Sequence, residues 1–206
     1  MDIQKTLYTT FGHRSFRPLQ REIVEDIVAG RDLLAVLPTG AGKSLCYQLP
    51  AALLPGMVLV ISPLVSLMKD QVDRVPEGLK ALWINSTLTP KNLREALARL
   101  DTEPFDLLYL APERLKDPVF MEVLNRIRIS LVAVDEAHCI SRWGHDFRPS
   151  YRKIGALLKG LTRRPPVAAF TATASREVRE DIIRQLDLRD PGIHQAGFDR
   201  PNLRLE

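Results

Sequence analysis

A glycine-rich segment with one lysine and one hydroxyl has the residue types that polyphosphate binding requires. Glycines let a short loop curl tightly enough for its backbone N–H groups to point inward at phosphate oxygens. Lys43 would then reach the β- and γ-phosphates, and the Ser44 hydroxyl would ligate Mg²⁺. The general pattern expects glycine at position 37, where this chain has leucine, and a plain strand-to-helix turn is the alternative. The predicted loop consists of Pro38, Thr39, Gly40, Ala41, Gly42, Lys43 and Ser44.

A pair of acids lies at the end of the apolar, β-branched run at 130–135, which ends in Asp135 and is followed by Glu136. An acid at the end of a buried strand, beside a phosphate loop, can hold Mg²⁺ through its waters, and this role is predicted for Asp135. Glu136 can orient and deprotonate the attacking water. His138 could link the γ-phosphate to bound nucleic acid. Four residues alone are weak evidence against a polar turn, but their pairing with the loop at 38–44 favours the catalytic interpretation. The predicted catalytic side chains are then Lys43, Asp135, Glu136 and His138.

Short apolar runs that alternate with helical patterns would position these residues. The alternation predicts an α/β domain of three layers, a mostly parallel sheet flanked by helices. The strands are continuously apolar because helices would cover both faces. Ligands bind at the carboxyl ends of such strands, where nearly every chemically suggestive residue falls. The predicted strands are 33–37, 57–62, 80–85, 105–110, 130–135, 166–171 and possibly 193–197, and the predicted helices lie near 18–29, 43–54, 64–75, 90–100, 117–128, 149–159 and 175–186.

Length and composition suit one large intracellular domain. The chain has 206 residues, 45% hydrophobic, with a net charge of +4, which permits a nucleic-acid partner without implying one. Cys46 and Cys139 lack the spacing of a zinc site or a disulfide framework, so two free thiols in a reducing compartment are expected. No apolar run approaches the roughly 20 residues of a membrane helix. The predicted location is cytoplasmic, with association to the nucleoid.

Seven segments of the chain resemble the first motor domain of RecQ-type DNA helicases, which belong to superfamily 2. The P-T-G-x-G-K-S form of the phosphate loop is typical of that superfamily. The resemblance implies a RecA-like fold over residues 1–197, with a linker to a second motor domain beginning at 198–206. The segments are FG with FRPLQ at 11–20, LPTGAGKSLCYQ at 37–48, ISPLVSLMKDQV at 61–72, LAPERL at 110–115, VDEAHCISRWGHDFRP at 134–149, FTATA at 170–174 and FDRPN at 198–202.

The resemblance also implies an adenine-binding element before the phosphate loop. His13, Arg17 and Gln20 would contact the nucleotide, with the Gln20 amide pairing with the edge of the base. A solvent-facing helix start, with Pro18 as an early helical residue, is the alternative for Gln20. The family usually has tyrosine at the position of His13, which is a departure at the predicted stacking position.

A third set of residues is predicted to contact or sense DNA. Hydroxyls and helix N-termini suit the phosphates of a strand, although Ser62 could instead cap the helix that follows. Aromatic side chains interleaved with cations in the loop 141–152 suit single-stranded DNA, although Trp143 and Phe147 could simply anchor the loop in the core. The cluster 85–87 is more typical of a plain turn. The predicted residues are Ser62, Ser66, Lys69, Arg114, Trp143, Phe147, Arg148, Thr171 and Thr173, the two threonines as a relay.

The function implied by the resemblance is that of an ATP-dependent DNA helicase that uses ATP and Mg²⁺. It would translocate 3′ to 5′ along single-stranded DNA and open duplex junctions. A second motor domain in the same parent chain would supply the transition-state arginine, so this domain alone would bind ATP and hydrolyse it poorly. Two alternatives are a DEAD-box RNA helicase and a non-catalytic nucleotide-binding module. DEAH at 135–138 argues against the first, and the intact Lys43 and acid pair argue against the second.

Overall fold

The structure is a computed structural model, and it describes residues 2–196. The predicted linker at 198–206, including the FDRPN segment, lies outside the described residues. Seven strands form one parallel sheet in the order β3-β4-β2-β5-β6-β1-β7. The strands are β1 (Leu33–Val36), β2 (Met57–Ile61), β3 (Ala81–Ile84), β4 (Leu107–Leu110), β5 (Ile129–Val134), β6 (Val167–Thr171) and β7 (Gly192–Gln195).

Helices cover both faces of this sheet and make the three layers that were predicted. One face packs against α2, α3 and α4, and the other packs against α5 to α8. The α-helices are α1 (Ile3–Phe11), α2 (Gln20–Val28), α3 (Lys43–Ala51), α4 (Val65–Asp73), α5 (Pro90–Thr102), α6 (Pro118–Arg126), α7 (Arg152–Gly160) and α8 (Arg176–Gln185), and short 3-10 helices span Pro112–Lys116, Ala137–Ile140 and Pro149–Tyr151. Within the described residues, no helix has both the length and the apolar character that a bilayer crossing needs.

Helix α1 was not predicted from the sequence. Asp2 caps its first turn by accepting a hydrogen bond from the Lys5 N–H, and Gly12 ends it in the left-handed region at φ +69°. Leu7 packs against one residue each from α2 and α3 in a small third cluster. The helix therefore lies outside the sheet layers and braces the segment that leads into α2.

The strand order determines which loops meet at the carboxyl edge. Both β1 and β5 pair with β6, so the loops that follow β1 and β5 lie on either side of the end of β6. Backbone hydrogen bonds continue the sheet into these loops, from the Leu37 N–H to the Thr171 carbonyl at 2.9 Å and from the Asp135 N–H to the Ile61 carbonyl at 2.8 Å. The predicted phosphate loop and the predicted acid pair are thereby brought together.

Candidate active site

The segment 38–44 forms an open loop between β1 and the first turn of α3. Gly40 and Gly42 have φ values of +84° and +82°, a region that side chains with a Cβ rarely adopt. A Cβ added at Gly40 would meet no atom within 4 Å, so glycine is favoured there by its backbone conformation and not by lack of space. Lys43 begins α3, and its Nζ donates a weak hydrogen bond of 3.3 Å to the Leu37 carbonyl across the loop. A cradle with a cation across its mouth suits a polyphosphate.

Gln20 fastens the phosphate loop to the preceding element. Its Nε2 donates to the carbonyls of Ala41 and Gly42 at 3.1 Å each, and its Oε1 accepts from the Arg17 N–H at 2.9 Å. The Arg17 guanidinium donates to the Gly40 carbonyl. A Cβ at Gly42 would lie 2.5 Å from Gln20 Nε2 and would displace that amide from the loop, and the φ of +82° also favours glycine there. Both amide protons of Gln20 are thus used on the loop, and its contact with a base stays a prediction.

The alternative of a solvent-facing helix start does not hold for Gln20. The side chain is 2% exposed, and Pro18 lies in a turn before α2, whose first residue is Gln20. Leu19 at that turn has φ +66°, which bends the chain toward the phosphate loop. Next to it is an open cleft of about 410 Å³, lined by Gln4, Ser15, Phe16, Arg17, Pro18, Leu19, Arg21 and Glu22.

His13 lies on the exposed turn after α1 and donates its backbone N–H to the Leu7 carbonyl.

The two acids occupy different environments at the end of β5. Asp135 is 6% exposed, and burial, followed by the charge of Glu136, raises its pKa to about 6. The Lys43 ammonium and the Glu136 N–H, which donates to Asp135 Oδ1 at 3.0 Å, act in the opposite direction. Glu136 is half-buried and has φ +47°, a strained conformation for a residue with a side chain. The Asp135 carboxylate is therefore buried without a cation close enough to neutralise it, whereas the Glu136 carboxylate is within reach of solvent.

Replacing Asp135 by asparagine is expected to stabilise the nucleotide-free chain at neutral pH. The folded pKa of Asp135, about 6, lies above its ordinary value of 3.8, so the group favours folding while it is protonated. Its contribution is complete below about pH 4 and is lost as the pH rises through 6. Asparagine keeps the acceptor for the Glu136 N–H and carries no charge. The gain in unfolding free energy should reach roughly 1 to 3 kcal/mol above pH 7.

Urea unfolding of both chains across this pH range measures that gain. The difference between variant and parent should be near zero at acid pH and should grow to a plateau above neutrality. Asp73→Asn, at an exposed acid that ends α4, is the matched control and should show no such growth. A difference that did not vary with pH would refute desolvation of Asp135 as the cause.

His138 joins the acid pair to the end of β6. Its Nδ1 lies 2.9 Å from Thr171 Oγ1 and 3.4 Å from Glu136 Oε2. The Thr171 hydroxyl donates to the Thr173 carbonyl at 3.0 Å, so its oxygen must accept from His138 Nδ1–H. Burial is the main cause that lowers the pKa of His138, which favours the neutral ring. Of the two threonines predicted as a relay, Thr171 thus contacts the predicted catalytic turn, and Thr173 is joined to it only through Thr171.

The loop 141–151 leaves this turn and presents one large aromatic to solvent. Trp143 is 76% exposed, which is not the environment of a core anchor, whereas Phe147 is half-buried with the Arg152 guanidinium 5.3 Å from its ring centre. The loop is closed by the Arg148 N–H, which donates to the Cys139 carbonyl at 2.8 Å. The Tyr151 hydroxyl donates to the Asp135 carbonyl at 2.9 Å. The C-terminal part of the loop is therefore hydrogen-bonded back to the acid-bearing turn, and its N-terminal end follows directly from the 3-10 helix Ala137–Ile140.

Arg148 uses its guanidinium on protein groups. It donates to Asp146 Oδ2 at 2.8 and 3.1 Å and to the Pro63 carbonyl at 3.2 Å. The contact with the Pro63 carbonyl links the loop 141–151, called the aromatic loop from here on, to the segment after β2. That segment contains Ser62, which was predicted to contact DNA. The geometry fits a positioning role for Arg148, whose side chain is 36% exposed.

The other predicted DNA contacts divide into exposed and buried groups. Ser66 and Lys69 are exposed on α4, whereas Ser62 is buried and accepts a weak hydrogen bond from the Leu64 N–H at 3.4 Å. Leu64, without a side-chain cap, is the residue that precedes α4, so the capping alternative for Ser62 is wrong. Arg114 donates to the carbonyls of Asn85 and Leu88 at 2.7 and 3.3 Å, and so holds the turn after β3.

Two residues that shape this site were not singled out from the sequence. A Cβ at Gly144 would lie 2.4 Å from the His138 carbonyl, so the loop passes this close only with glycine there. Asp146 pairs with Arg148, two residues further along. A glycine and an acid between aromatics in so short a loop were the available signal, because both types favour tight turns and local pairing.

Comparison with known proteins gives a consistent set of relatives. The DEAD/DEAH box helicase family model matches residues 17–181. ATP-dependent DNA helicase RecQ of Pasteurella multocida (strain Pm70) is 45% identical over 96% of this chain and 31% of that protein. Probable ATP-dependent DNA helicase RecS of Bacillus subtilis (strain 168) is 48% identical over 98% of this chain and 41% of that protein. The chain therefore spans less than half the length of these relatives.

Solved structures show the same fold at low identity. A hypothetical ATP-dependent RNA helicase from Sulfolobus tokodaii has a TM-score of 0.72 at 19% identity and covers 94% of this chain and 56% of that one. Mycobacterium smegmatis helicase Lhr bound to ssDNA and AMP-PNP has a TM-score of 0.73 at 22% identity and covers 96% of this chain and 28% of that one. Both confirm the predicted RecA-like architecture of the sheet and its helices.

Proposed function

Because the chain belongs to the DEAD/DEAH box helicase family, we propose that it is the ATP-binding motor domain of a DNA helicase. One observation carries this proposal. Lys43 follows β1, and Asp135 and Glu136 follow β5, and these two strands flank β6, so the three side chains lie at the same edge of the sheet. Such an arrangement places a phosphate cradle beside one acid for a metal and one for a water molecule. The relatives that are 45% and 48% identical carry the name of DNA helicases.

The residues present fit a bound Mg²⁺. Asp135 is a buried carboxylate whose pKa is raised to about 6, so a cation near it would relieve an unfavourable charge. Ser44 lies at the start of α3, directly after the cradle. Ser44 and Asp135 would hold the ion, which would neutralise charge on the phosphate oxygens. ATP and Mg²⁺ are therefore the proposed ligands of this edge of the sheet.

The chain's own side chains would carry out the remaining steps. The Lys43 ammonium would bind β- and γ-phosphate oxygens after leaving the Leu37 carbonyl. Glu136 would orient a water molecule toward the γ-phosphorus and accept its proton. His138, on Glu136 Oε2 at 3.4 Å and on Thr171 Oγ1 at 2.9 Å, would keep the base in place. Each of these roles is testable by one substitution.

DNA is proposed as the nucleic-acid substrate, in preference to RNA. The exposed Trp143 offers a stacking surface for an unpaired base, and the exposed Lys69 offers a cation for phosphates. A DEAD-box RNA helicase remains the second candidate because it has the same fold. DEAH at 135–138 and the segment SPLVSLMKDQ at 62–71 favour the DNA enzyme.

A second motor domain is proposed as the partner that completes the catalytic site. The chain spans 31% and 41% of the two bacterial relatives, which leaves room for such a domain in a longer parent. An arginine from that domain would stabilise the transition state of phosphoryl transfer. The chain alone should then bind ATP and hydrolyse it slowly.

Replacement of Lys43 by alanine tests the phosphate site. Lys43 is the one cation in the loop 38–44, so the variant should bind ATP–Mg²⁺ at least about tenfold more weakly, or roughly 1.4 kcal/mol. Calorimetric titration of the 206-residue chain measures this affinity. Lys91→Ala, at an exposed lysine on α5, should bind as the parent chain does. Unchanged affinity of the Lys43 variant would mean that the loop is not the phosphate site.

A further inference from the structure

Three different metal-ligating side chains converge beside the acid-bearing turn. Cys139 Sγ lies 3.8 Å from His138 Nε2 and 3.8 Å from Asp146 Oδ2, and all three ligand atoms lie within 4.8 Å of one another. We propose that this group, the zinc clasp, binds one Zn²⁺ through the imidazole, the thiolate and a carboxylate oxygen. No zinc site was predicted from the sequence, because Cys46 and Cys139 lack the spacing of a zinc motif. A site with a single cysteine does not show that spacing.

The hydrogen bonds of His138 direct its free lone pair into the clasp. The Thr171 hydroxyl gives its proton to the Thr173 carbonyl, so the Thr171 oxygen accepts from His138 Nδ1–H. In the neutral ring Nε2 then carries the lone pair, on the side of Cys139. A ligand histidine whose other nitrogen donates a hydrogen bond to a neighbouring group is the usual arrangement in metal sites. The ring is therefore held in the tautomer and orientation that zinc binding requires.

The separations suit zinc. Zn–S and Zn–N bonds of about 2.3 and 2.0–2.1 Å at a tetrahedral angle place the two ligand atoms about 3.5 Å apart. The observed 3.8 Å needs a closure of a few tenths of an ångström. A mixed thiolate, imidazole and carboxylate set favours zinc over Mg²⁺ or Ca²⁺, which prefer oxygen ligands alone. With three protein ligands, the fourth position would be open to water.

Charges around the clasp both favour and oppose a cation. The carboxylates of Asp146 and Glu136 attract it, whereas the Arg148 guanidinium, bound to Asp146 Oδ2 at 2.8 Å, and the Lys43 ammonium oppose it. Burial, then the charge of Asp146, raises the pKa of the Cys139 thiol to about 12, so the metal-free thiol is protonated. Zinc binding would release the thiol proton as the sulfur–zinc bond forms, and the positive charge of the ion would stabilise the Cys139 thiolate. We therefore expect exchangeable binding, weaker than in a structural zinc site.

Occupancy of the clasp would have one mechanical consequence, which rests on the proposed function. Asp146 belongs to the aromatic loop, and His138 and Cys139 belong to the 3-10 helix after the catalytic acids. Zinc would tie the two segments together and hold the loop in a single position. The hydrogen bonds between loop and turn allow the loop to shift when DNA binds, whereas coordination bonds would lock the two segments in one arrangement and block the shift that reaches Glu136. Zinc should thus suppress the DNA-stimulated part of ATP hydrolysis.

The site is tested by direct metal binding to the 206-residue chain. Zn²⁺ is titrated against a chromophoric chelator, and Co²⁺ is added separately to detect a sulfur-to-cobalt charge-transfer band. One zinc per chain and a charge-transfer band are expected. Cys139→Ser and Asp146→Asn should each weaken zinc binding at least tenfold, and Cys46→Ser, at the other buried cysteine, should not. Melting curves confirm that each variant is folded.

Two results would overturn the zinc clasp. One is a folded parent chain that binds no zinc at micromolar concentrations or shows no sulfur ligation of Co²⁺. The other is zinc binding of parental strength in a folded Cys139→Ser chain, which would place the metal elsewhere. Because these measurements need neither ATP nor DNA, they stand even if the proposed helicase function fails.

The mechanical consequence is tested separately in the longer parent protein. Zinc should reduce DNA-stimulated hydrolysis more than DNA-free hydrolysis in the parent and in Cys46→Ser, and Cys139→Ser should relieve that reduction. Equal inhibition of all three proteins would overturn the tie between the loop and the acids. An absence of any DNA stimulation before zinc is added would instead count against the proposed function.

Discussion

Replacing Glu136 by glutamine in the proposed two-domain parent should lower kcat at least about 100-fold while ATP binding stays near that of the unsubstituted protein. A positioned general base contributes typically 10² to 10⁴ in rate, and an amide cannot accept the proton. Glutamine has nearly the same shape and can keep the contact with His138 Nδ1, now 3.4 Å from Glu136 Oε2. Asp135, Lys43 and the cradle are unchanged, so the ground-state complex should form normally.

The measurement pairs steady-state hydrolysis with nucleotide binding. Glu77→Gln, at an exposed acid just before β3 and hence at the amino edge of the sheet, is the matched control and should hydrolyse ATP as the parent does. Near-normal kcat in the Glu136 variant would move the base elsewhere. A matched loss of binding and rate would show instead that the strained turn at φ +47° depends on the carboxylate.

The sheet was predictable from the sequence because its strands are buried on both faces. Each of the six firm strand predictions overlaps an observed strand, and the possible strand at 193–197 corresponds to β7. The predicted runs extend one or two residues beyond several strands, for example at 105–110, where β4 begins at Leu107. The extra residues are mostly polar, as Asp106 is here, and residue type does not show where the hydrogen-bonded ladder between strands begins or ends. The predicted helix 149–159 begins with a 3-10 turn and becomes α-helical at Arg152.

Contacts between distant segments were not predictable in the same way. The order of strands brings β1 and β5 to the two sides of β6, and nothing in any single segment specifies that order. The contacts from Gln20 to the phosphate loop and from Arg148 to the Pro63 carbonyl depend on it, across 21 and 85 residues of sequence. Gln20 was assigned to the base because its amide suits adenine, but the same amide groups also suit backbone carbonyls. Residue type alone does not decide between these partners.

Replacing Trp143 by alanine distinguishes a DNA-dependent motor from a generic ATPase, because the two possible roles of the aromatic loop predict different losses of stability and of DNA binding. If Trp143 were a core anchor, its loss would cost about 3–5 kcal/mol of stability. At 76% exposed it has little buried area to lose, so Trp143→Ala should change the unfolding free energy by no more than about 0.5 kcal/mol. Stacking of a base on an aromatic ring is worth about 1–3 kcal/mol. Affinity for single-stranded DNA should therefore fall by roughly 5- to 150-fold.

The same substitution should abolish DNA stimulation of hydrolysis in the longer parent and leave the DNA-free rate nearly intact. The reason is that the C-terminal part of the loop is attached to the acid-bearing turn, through the Arg148 N–H to the Cys139 carbonyl at 2.8 Å and through the Tyr151 hydroxyl to the Asp135 carbonyl at 2.9 Å. A base that stacks on Trp143 would move the loop, and the loop would move the acids. Arg148→Ala should have the same kinetic effect at a larger cost in stability, because it also removes the contacts with Asp146 and the Pro63 carbonyl.

Hydrolysis with and without single-stranded DNA, alongside a melting curve, decides between the two roles of the loop. Tyr8→Ala removes an aromatic of 60% exposure from α1 and should leave the melting temperature, the DNA-free rate and the stimulation unchanged. A Trp143 variant that melted far below the parent but kept its stimulation would assign the loop to the fold. A Trp143 variant that kept its melting temperature and lost DNA stimulation would assign the loop a role in DNA binding, because the ring is 76% exposed and contributes little to the stability of the fold.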